Sequence, residues 1–235
     1  MADTPTLTPD EALQLEFNRW AAAGEGEKME QHHLDITRKT LALMDLRLGQ
    51  RILDLGCGSG WATRLLARAA GAGARVVGLD ISDAMVQLAG ETSQEFSNVR
   101  YVVGSTASIP EPENSFDRVL SIESFYYYPD QSLALEEVLR VMAPGGRLFI
   151  LINLYTDNEF SLQWVDKLKV PVHVRSAAEY IAMLREHGFE NAAWRQIPDD
   201  TPTPDDYKTK SFRSLEDLRA FKRVGALLLI GSKRN

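Results

Sequence analysis

The stretch ILDLGCGSGWA, at positions 52–62, predicts the fold of the chain around it. An apolar run ends in three glycines at alternating positions, Gly56, Gly58 and Gly60, and a helical pattern follows them. Glycine lets the main chain adopt sharp turns and pass close to a bound ligand. The stretch therefore predicts a strand, then a ligand-binding turn, then a helix.

The same alternation of apolar runs and helical patterns continues along the chain. The predicted strands are 51–55, 75–79, 99–103, 118–122, 146–152, 189–197 and 226–230. The predicted helices between them are 59–70, 83–96, 131–142, 177–187 and 214–223. Strands that alternate with helices form a parallel sheet, and nearly all-apolar strands are buried on both faces. The pattern predicts an α/β fold with a doubly wound sheet.

Two further helices are predicted before the first strand. Thr8, Pro9 and Glu11 form the pattern of a helix start with a capping box, and this helix should run to about Gly24. A Gly/Glu-rich break at 24–27 should then lead into a second helix over about 30–47.

Composition limits the classes of protein to consider. The chain has 235 residues, 44% of them hydrophobic, which suits one domain. It has no apolar run of about 18 residues and no signal-peptide pattern, so we expect no integral membrane segment and a cytoplasmic location. The net charge is −7, which argues against nucleic acid as a partner. With Cys57 as its single cysteine, the chain cannot form an internal disulfide.

The glycine pattern narrows the choice of ligand. A dinucleotide fingerprint requires a third glycine where this chain has Trp61, which argues against a nicotinamide-dependent oxidoreductase. A phosphate-binding loop would need Gly-Lys-Ser/Thr, which does not follow. Asp80 ends the second predicted strand, twenty residues beyond Gly60. A carboxylate there can accept hydrogen bonds from both hydroxyls of a ribose, although it could also cap the next helix.

Four motifs in order extend the pattern: ILDLGCGSG, VVGLDIS, GSTASIPEPENSFDRVLSIES and EVLRVMAPGGRLFI. Over residues 48–155 the chain resembles the class I S-adenosylmethionine-dependent methyltransferases, in particular the small-molecule group with the ubiquinone/menaquinone, tocopherol and sterol enzymes. The resemblance implies a seven-stranded, mostly parallel sheet with an antiparallel last strand. It also implies one methyltransferase domain, 1–235, with a helical lid (1–47), a cofactor-binding core (48–155) and substrate-side elements (156–235).

The resemblance implies S-adenosylmethionine as cofactor and S-adenosylhomocysteine as product. Matching positions should bind the methionine part, the ribose (Asp80) and the adenine (Ile81 and 105–107). The cofactor-binding set is Asp54, Gly56, Cys57, Gly58, Gly60, Asp80, Ile81, Ser105, Thr106, Ala107 and Ser121. Ser105 departs from the family pattern, since relatives usually have Asp there; its hydroxyl can bond the adenine amino group without charge assistance.

Catalytic candidates lie in SIESFYYYPD, residues 121–130. The stretch is similar to one in tocopherol and sterol methyltransferases, in which a glutamate is followed four residues later by a histidine. Glu123 matches that glutamate, and Tyr127 stands where the histidine would be. Glu123 could act as a general base, stabilise a developing cation or bind the acceptor. It could equally bind the ammonium group of the cofactor or cap local backbone.

The expected reaction is in-line methyl transfer to carbon, oxygen or nitrogen of a small-molecule acceptor, with a quinone or isoprenoid as candidate. The alternatives are a non-catalytic S-adenosylmethionine-binding protein and, with less support, the nicotinamide-dependent oxidoreductase. Adjacent histidines on one helix point about 100° apart and cannot hold one metal together, so we expect no metal site. The candidate substrate contacts are Trp20, His32, His33, Tyr126, Trp164 and His173.

Overall fold

The computed structural model describes residues 7–209 and 211–235. Residues 1–6, the start of the predicted lid, and residue 210 lie outside the described residues. The strands are β1 (Arg51–Leu55), β2 (Arg75–Asp80), β3 (Val99–Val103), β4 (Phe116–Ile122), β5 (Met142–Ile152), β6 (Glu190–Ile197) and β7 (Ala226–Ser232). The helices are α1 (Pro9–Ala22), α2 (Glu25–Leu43), α3 (Trp61–Ala70), α4 (Asp83–Glu91), α5 (Gln131–Val141), α6 (Ala177–Glu186) and α7 (Leu215–Val224).

The seven strands form one sheet in the order β3-β2-β1-β4-β5-β7-β6. The pairs among β1 to β5 are parallel, and β7 is antiparallel to both β5 and β6. The predicted seven-stranded sheet with an antiparallel last strand is therefore confirmed. Strand order reverses between β1 and β4, and in open α/β sheets ligands bind at the carboxyl ends of strands at such a reversal.

The central strands of the sheet are covered on both faces, as their apolar sequences predict, whereas the edge strand β6 is mostly exposed. In β1, Leu53 and Leu55 face one hydrophobic cluster while Ile52 faces the other. The same alternation puts Val119 and Leu120 of β4 on opposite faces. Because successive side chains of a strand point to opposite sides, one short apolar run contributes to both cores.

Helix α1 is anchored beside the carboxyl end of β2. Its start is the predicted capping box, in which the Glu11 N–H donates to Thr8 Oγ1 at 3.3 Å and the Thr8 N–H donates to the Glu11 carboxylate at 2.7 Å. One turn further on, Gln14 Nε2 donates to the Ile81 carbonyl at 3.0 Å. The Ser82 hydroxyl donates to Asn18 Oδ1 at 2.6 Å. These bonds position α1 over the end of the sheet.

Some predicted boundaries were wrong. Helix α2 begins at Glu25 rather than 30, because Gly24, with φ of +67°, forms the break alone and Glu25 pairs with Lys28 at 2.7 Å. Helix α2 ends at Leu43 rather than 47, since Asp45 has a left-handed φ of +49°. Strand β5 starts before the predicted 146, at Met142, and α4 ends at Glu91 rather than 96. Among the described residues, no helix is long and apolar enough to cross a membrane.

Candidate active site

A cleft of about 840 Å³ opens at the carboxyl ends of β1, β2 and β4, under α1. It therefore lies at the reversal of strand order, where this kind of sheet binds ligands. The residues that line it are Asp10, Leu13, Phe17, Trp20, Gly26, Met29, Gly56, Cys57, Gly58, Ser59, Trp61, Asp80, Ile81, Met85, Ser105, Thr106, Ile122, Glu123, Ser124, Tyr127, Tyr128 and Pro129.

The glycine turn after β1 forms the floor of the cleft. The N–H groups of Gly56 and Cys57 donate to the Leu79 carbonyl at 2.8 and 3.0 Å, which ties the turn to β2. Gly58 has a φ of +51°, and nothing lies within 4 Å of the position a Cβ would take there. Gly60 differs, because a Cβ there would lie 2.4 Å from the Tyr101 hydroxyl. Gly58 thus keeps space open in the cleft, whereas Gly60 lets the turn pack on its neighbours.

Asp80 lies at the end of β2 and lines the cleft, with 8% of its surface exposed. Its Oδ2 accepts a hydrogen bond from the Gly58 N–H at 2.8 Å, and its Oδ1 accepts one from the Ser82 N–H at 2.9 Å. Burial raises the pKa of Asp80 above its usual value. Ser82, rather than Asp80, caps α4, since its hydroxyl accepts from the Met85 N–H at 3.0 Å. A carboxylate oxygen has more than one lone pair, so Asp80 can still accept bonds from a pair of hydroxyls in the cleft.

Asp54 lies behind the glycine turn and does not line the cleft. The Thr63 hydroxyl of α3 donates to its Oδ2 at 2.6 Å, so this oxygen is already engaged by the helix. Burial raises the pKa of Asp54 to about 7. Three other members of the predicted cofactor-binding set also lie outside the lining, namely Gly60, Ala107 and Ser121.

The loop after β3 contributes Ser105 and Thr106 to the lining, as the family resemblance implied. The Ser105 hydroxyl accepts a hydrogen bond from the Ala107 N–H at 3.2 Å, which fixes a local turn. A hydroxyl oxygen that accepts from the backbone still has its own O–H to donate. Ser105 can therefore contribute one neutral hydrogen bond where the family usually has a carboxylate.

Glu123 directly follows β4 and combines burial with an unusual backbone. Its φ is +52°, and 6% of its surface is exposed. Its Oε1 accepts from the Asn153 N–H at 2.6 Å and its Oε2 accepts from the Tyr126 hydroxyl at 3.1 Å. Burial raises the pKa of Glu123 to about 8. A non-glycine residue held in the left-handed region is strained, and such strain concentrates at functional sites.

Aromatic rings from α1 and from the segment after β4 form one wall of the cleft. Phe17 of α1 packs edge-on against Tyr127, with ring centroids 5.1 Å apart, and Trp20 lies 6.5 Å from Tyr127. These three rings also border a second cleft of about 770 Å³, whose rim carries Lys167 and Lys169. The catalytic candidate Tyr127 and the candidate substrate contact Trp20 thus both line the cleft.

The other candidate substrate residues lie outside this lining. Tyr126 is buried behind the wall and bonds Glu123, and the His173 N–H donates to the Tyr126 carbonyl at 2.8 Å. Trp164 packs in a separate aromatic cluster, with its indole N–H donating to the Ser211 carbonyl at 3.2 Å. His32 is exposed on α2.

His33 is buried, faces Glu123 and is not among the residues that line the cleft. Its Nε2 lies 3.8 Å from Glu123 Oε2, and its Nδ1 lies 2.8 Å from the Met29 carbonyl oxygen. The family resemblance placed a histidine at the position of Tyr127, but in this chain the histidine beside the glutamate comes from α2.

Sequence reasoning missed much of the contribution of α1 to the cleft. Leu13 and Phe17 line it together with Trp20, at a spacing of i, i+4 and i+7. This spacing marks one face of a helix, so the signal was present in the sequence. It could not show whether that face packs on the sheet or covers a cavity. Among the described residues, no group of three or more His, Cys, Asp or Glu side chains is arranged to hold a metal ion.

Comparison with known proteins agrees with this geometry. Residues 53–150 match the family model described as a methyltransferase domain. The chain is 32% identical over 174 residues to the 27-O-demethylrifamycin SV methyltransferase of Amycolatopsis mediterranei, which covers 71% of this chain and 63% of the relative. It is 37% identical over 123 residues to the ubiquinone/menaquinone biosynthesis C-methyltransferase of Legionella pneumophila, covering 51% of this chain and 49% of the relative. The chain thus spans about half to two thirds of the length of these relatives.

A solved structure is similar over nearly the full length. It comes from the complex between the Haloferax volcanii Trm112 methyltransferase activator and a second protein assigned as a methyltransferase. The TM-score is 0.86 at 33% sequence identity, and the match covers 94% of this chain and 98% of that one. The glycine turn, the carboxylate at the end of β2 and this likeness together show that the chain belongs to the class I S-adenosylmethionine-dependent methyltransferases.

Proposed function

We propose that the protein transfers a methyl group from S-adenosylmethionine to carbon, oxygen or nitrogen of a small-molecule acceptor. The observation that carries the proposal is that Glu123 and the ring of Tyr127 line the same cleft as Gly58 and Asp80. One cleft can therefore hold the cofactor next to an acceptor. Such proximity is most of what methyl transfer needs, because the sulfonium of the cofactor is already a good leaving group.

The residues of the cleft fit this cofactor. Asp80 offers a buried carboxylate for the two ribose hydroxyls, and the open space over Gly58 leaves room for the main chain to approach the ligand. The apolar side chains of Ile81 and Met85 lie beyond Asp80, where they can pack on the adenine. Ser105 adds a hydroxyl for the adenine edge. When bound, the cofactor supplies an activated methyl group, and the protein supplies alignment and exclusion of water.

The acceptor is proposed to bind between the aromatic wall and Glu123. The faces of aromatic rings favour flat or polarisable ligands, and they attract cations. The neighbouring cleft, bordered by Phe17, Trp20 and Tyr127, leaves room for a larger acceptor to extend outward. The two curated relatives are named for a rifamycin and for ubiquinone and menaquinone. We propose a quinone or isoprenoid acceptor for this chain by analogy with them.

The assignments of residues 1–47 as a lid and of 156–235 as substrate-side elements belong to the same proposal. The position of α1 over the cleft supports the first of them. A cytoplasmic location stays a prediction from the sequence.

The test is a transfer assay with methyl-labelled S-adenosylmethionine and a panel of demethylated quinones, phenols, amines and allylic isoprenoids. We expect one class to gain a single methyl group by mass spectrometry. Glu123→Gln should lower turnover strongly while the affinity for S-adenosylhomocysteine is kept. Glu136→Gln, which removes an exposed carboxylate on α5, is the matched control.

The alternatives give different results in the same experiment. A non-catalytic binding protein would bind S-adenosylhomocysteine but methylate no acceptor of the panel. An oxidoreductase would show a thermal shift with NAD(H) rather than with S-adenosylhomocysteine. Absence of binding to either S-adenosyl compound at millimolar concentration would overturn the proposed function.

A further inference from the structure

The cluster formed by Glu123, His33 and their neighbours has a feature that cofactor binding does not explain. Glu123 is an acid on the wall of an apolar cleft, and no lysine or arginine of the described residues forms an ion pair with it. Among the described residues, the one basic side chain within 4.0 Å is that of His33, which is itself absent from the lining of the cleft. The carboxyl group therefore contacts both the cleft and the neighbourhood of a buried histidine.

The hydrogen bonds of His33 determine which of its nitrogens carries a proton. Its Nδ1 is 2.8 Å from the Met29 carbonyl oxygen, which can only accept, so the proton of the neutral ring is on Nδ1. The lone pair is then on Nε2, which faces Glu123 Oε2 across 3.8 Å. This gap is too short for a water molecule between the two atoms. A shift of about 0.6 to 1 Å would close it to a hydrogen bond.

Burial keeps both Glu123 and His33 uncharged near pH 7. Burial raises the pKa of Glu123 to about 8, and burial lowers the pKa of His33 to about 4. His32 lowers the pKa of His33 further, while Asp199, which pairs with Lys222 at 3.1 Å, raises it. On the other side, Glu123 faces the hydroxyl of Tyr126, the ring of Tyr127 and the backbone of Asn153. The proton of the Glu123 carboxyl group thus lies beside the unprotonated Nε2 of His33.

We propose, building on the proposed methyl transfer, that Glu123 and His33 form a relay that carries a proton out of the cleft. The bond between acceptor and methyl carbon forms while the carbon–sulfur bond breaks, and the electron pair of that bond goes to sulfur. The proton that the acceptor loses moves to the Glu123 carboxylate and from there to His33 Nε2. The imidazolium so formed returns to the neutral ring by losing one proton to solvent, which reaches the 11% of the His33 side chain that is exposed. Glu123 touches the cleft, whereas His33 acts through Glu123.

Glu123 must lose its own proton before it can accept one, since this carboxyl group is protonated in the free protein at pH 7. A positive charge nearby favours a carboxylate over a carboxylic acid. Binding of S-adenosylmethionine should therefore release a proton from Glu123 through His33. Binding of S-adenosylhomocysteine, whose sulfur is neutral, should release much less. This difference needs no acceptor, so it can be measured before the acceptor is known.

Calorimetry in two buffers of different ionisation enthalpy, at pH 7, measures the protons released on binding. With a pKa of about 8, Glu123 holds about 0.9 proton at this pH, so we expect S-adenosylmethionine to release up to that amount more than S-adenosylhomocysteine does. In Glu123→Gln the two ligands should release equal amounts. A difference that persists in Glu123→Gln would come from another group, such as Asp54 or Asp80, and would overturn the relay.

His33 should determine how fast the proton is released, and not how many protons are released. In stopped-flow mixing, the fluorescence of Trp20 and Trp61, which line the cleft, reports binding, and an indicator dye reports the released proton. In wild type the two signals should coincide. In His33→Gln the proton signal should lag by roughly tenfold or more, and added imidazole should restore it. The control is His187→Gln at the end of α6, where Nδ1 lies 2.8 Å from the Met183 carbonyl oxygen in the same way, and in this variant the two signals should coincide.

The outcomes separate this proposal from the proposed function. If neither S-adenosyl compound binds, the proposed function fails. If both bind and release equal amounts of proton from wild type, the relay is wrong and the proposed function stands. Simultaneous signals in His33→Gln would likewise remove His33 from the relay. Circular dichroism of each variant checks that it is folded.

Discussion

Asp80 Oδ2 accepts a hydrogen bond from the N–H of Gly58 at 2.8 Å, which joins the end of β2 to the glycine turn after β1. Twenty-two residues separate the two groups along the chain. The same carboxylate holds the N–H of Ser82 through its other oxygen. The Asp80 carboxylate, which we propose binds the ribose, is therefore held in place by two backbone donors before any cofactor binds.

Replacing this carboxylate should disrupt both the turn and the site. In Asp80→Asn the amide NH₂ must face one of two backbone N–H donors, Gly58 or Ser82, so one bond is lost. A hydrogen bond to a charged group contributes about 1.5–3 kcal/mol, so affinity for S-adenosylhomocysteine should fall roughly 10- to 100-fold in calorimetry. Asp206→Asn removes an exposed carboxylate and should leave affinity unchanged. Equal affinity in Asp80→Asn would rule out a role in binding.

Two glycines of the turn should respond differently to the same substitution. In Gly60→Ala the new Cβ would clash with the hydroxyl of Tyr101 and with the Cβ of Ala89 at 2.9 Å, so the melting temperature should fall by several degrees. In Gly58→Ala the Cβ meets no protein atom and enters the cleft. Its cost to stability should be about 1 kcal/mol of backbone strain, and its main effect should be weaker binding of S-adenosylhomocysteine. The opposite order of effects in thermal melts and calorimetry would contradict this.

Glu123 should make stability depend on pH. The pKa of its carboxyl group is about 8 in the folded state against 4.5 for the free group, so the folded state binds the proton more tightly. Its contribution to stability is complete below pH 4.5 and is lost as pH rises toward 8. Glu123→Gln cannot ionise and should gain about 2 kcal/mol relative to wild type between pH 6 and pH 8, measured by urea unfolding.

The control for this comparison is Glu136→Gln, whose unfolding free energy relative to wild type should be the same at both pH values. His33 titrates in the opposite direction. Burial lowers its pKa, so its contribution is lost as pH falls below 6.5. Because His33 is present in both wild type and Glu123→Gln, it does not disturb the difference between them to first order. A constant difference between these two proteins from pH 6 to pH 8 would show that Glu123 is ionised throughout.

Asn18 should link helix α1, which covers the cleft, to the start of α4 beside Asp80. It accepts from the Ser82 hydroxyl at 2.6 Å and donates to Asp83 at 2.8 Å. Asn18→Ala loses both of these bonds, each about 1 kcal/mol, and a longer one from the Ala84 N–H at 3.4 Å. Hydrogen exchange in α1 should therefore accelerate, and affinity for S-adenosylhomocysteine should fall roughly 5- to 30-fold. Asn98→Ala, which removes a single bond to the Gly71 carbonyl, should leave both quantities unchanged. Similar rates of hydrogen exchange in the two variants would argue against α1 as the helix that covers the cleft.

The order of elements could be predicted from the sequence because each relevant signal is local. Apolar runs of five to seven residues marked six of the seven strands, and the capping boxes at Thr8 and Ser176 marked two helix starts. The glycine turn and Asp80 were found because their roles depend on backbone conformation and on position at a strand end. Boundaries such as the start of α2 were missed, because one left-handed residue, Gly24, replaces the four-residue break that composition suggested.

What the sequence determined by itself is therefore the sheet, its glycine turn and the family of its ligand, since these follow from periodicity and from short motifs. What only the tertiary structure decided is which side chains share a space. Asp54 and Trp164 matched expectations for a site but are engaged by Thr63 and by a separate aromatic cluster. His33 and Glu123 lie 90 positions apart, and no local pattern relates them. They meet because α2 packs beside the carboxyl end of β4, and burial there is what shifts the pKa of each.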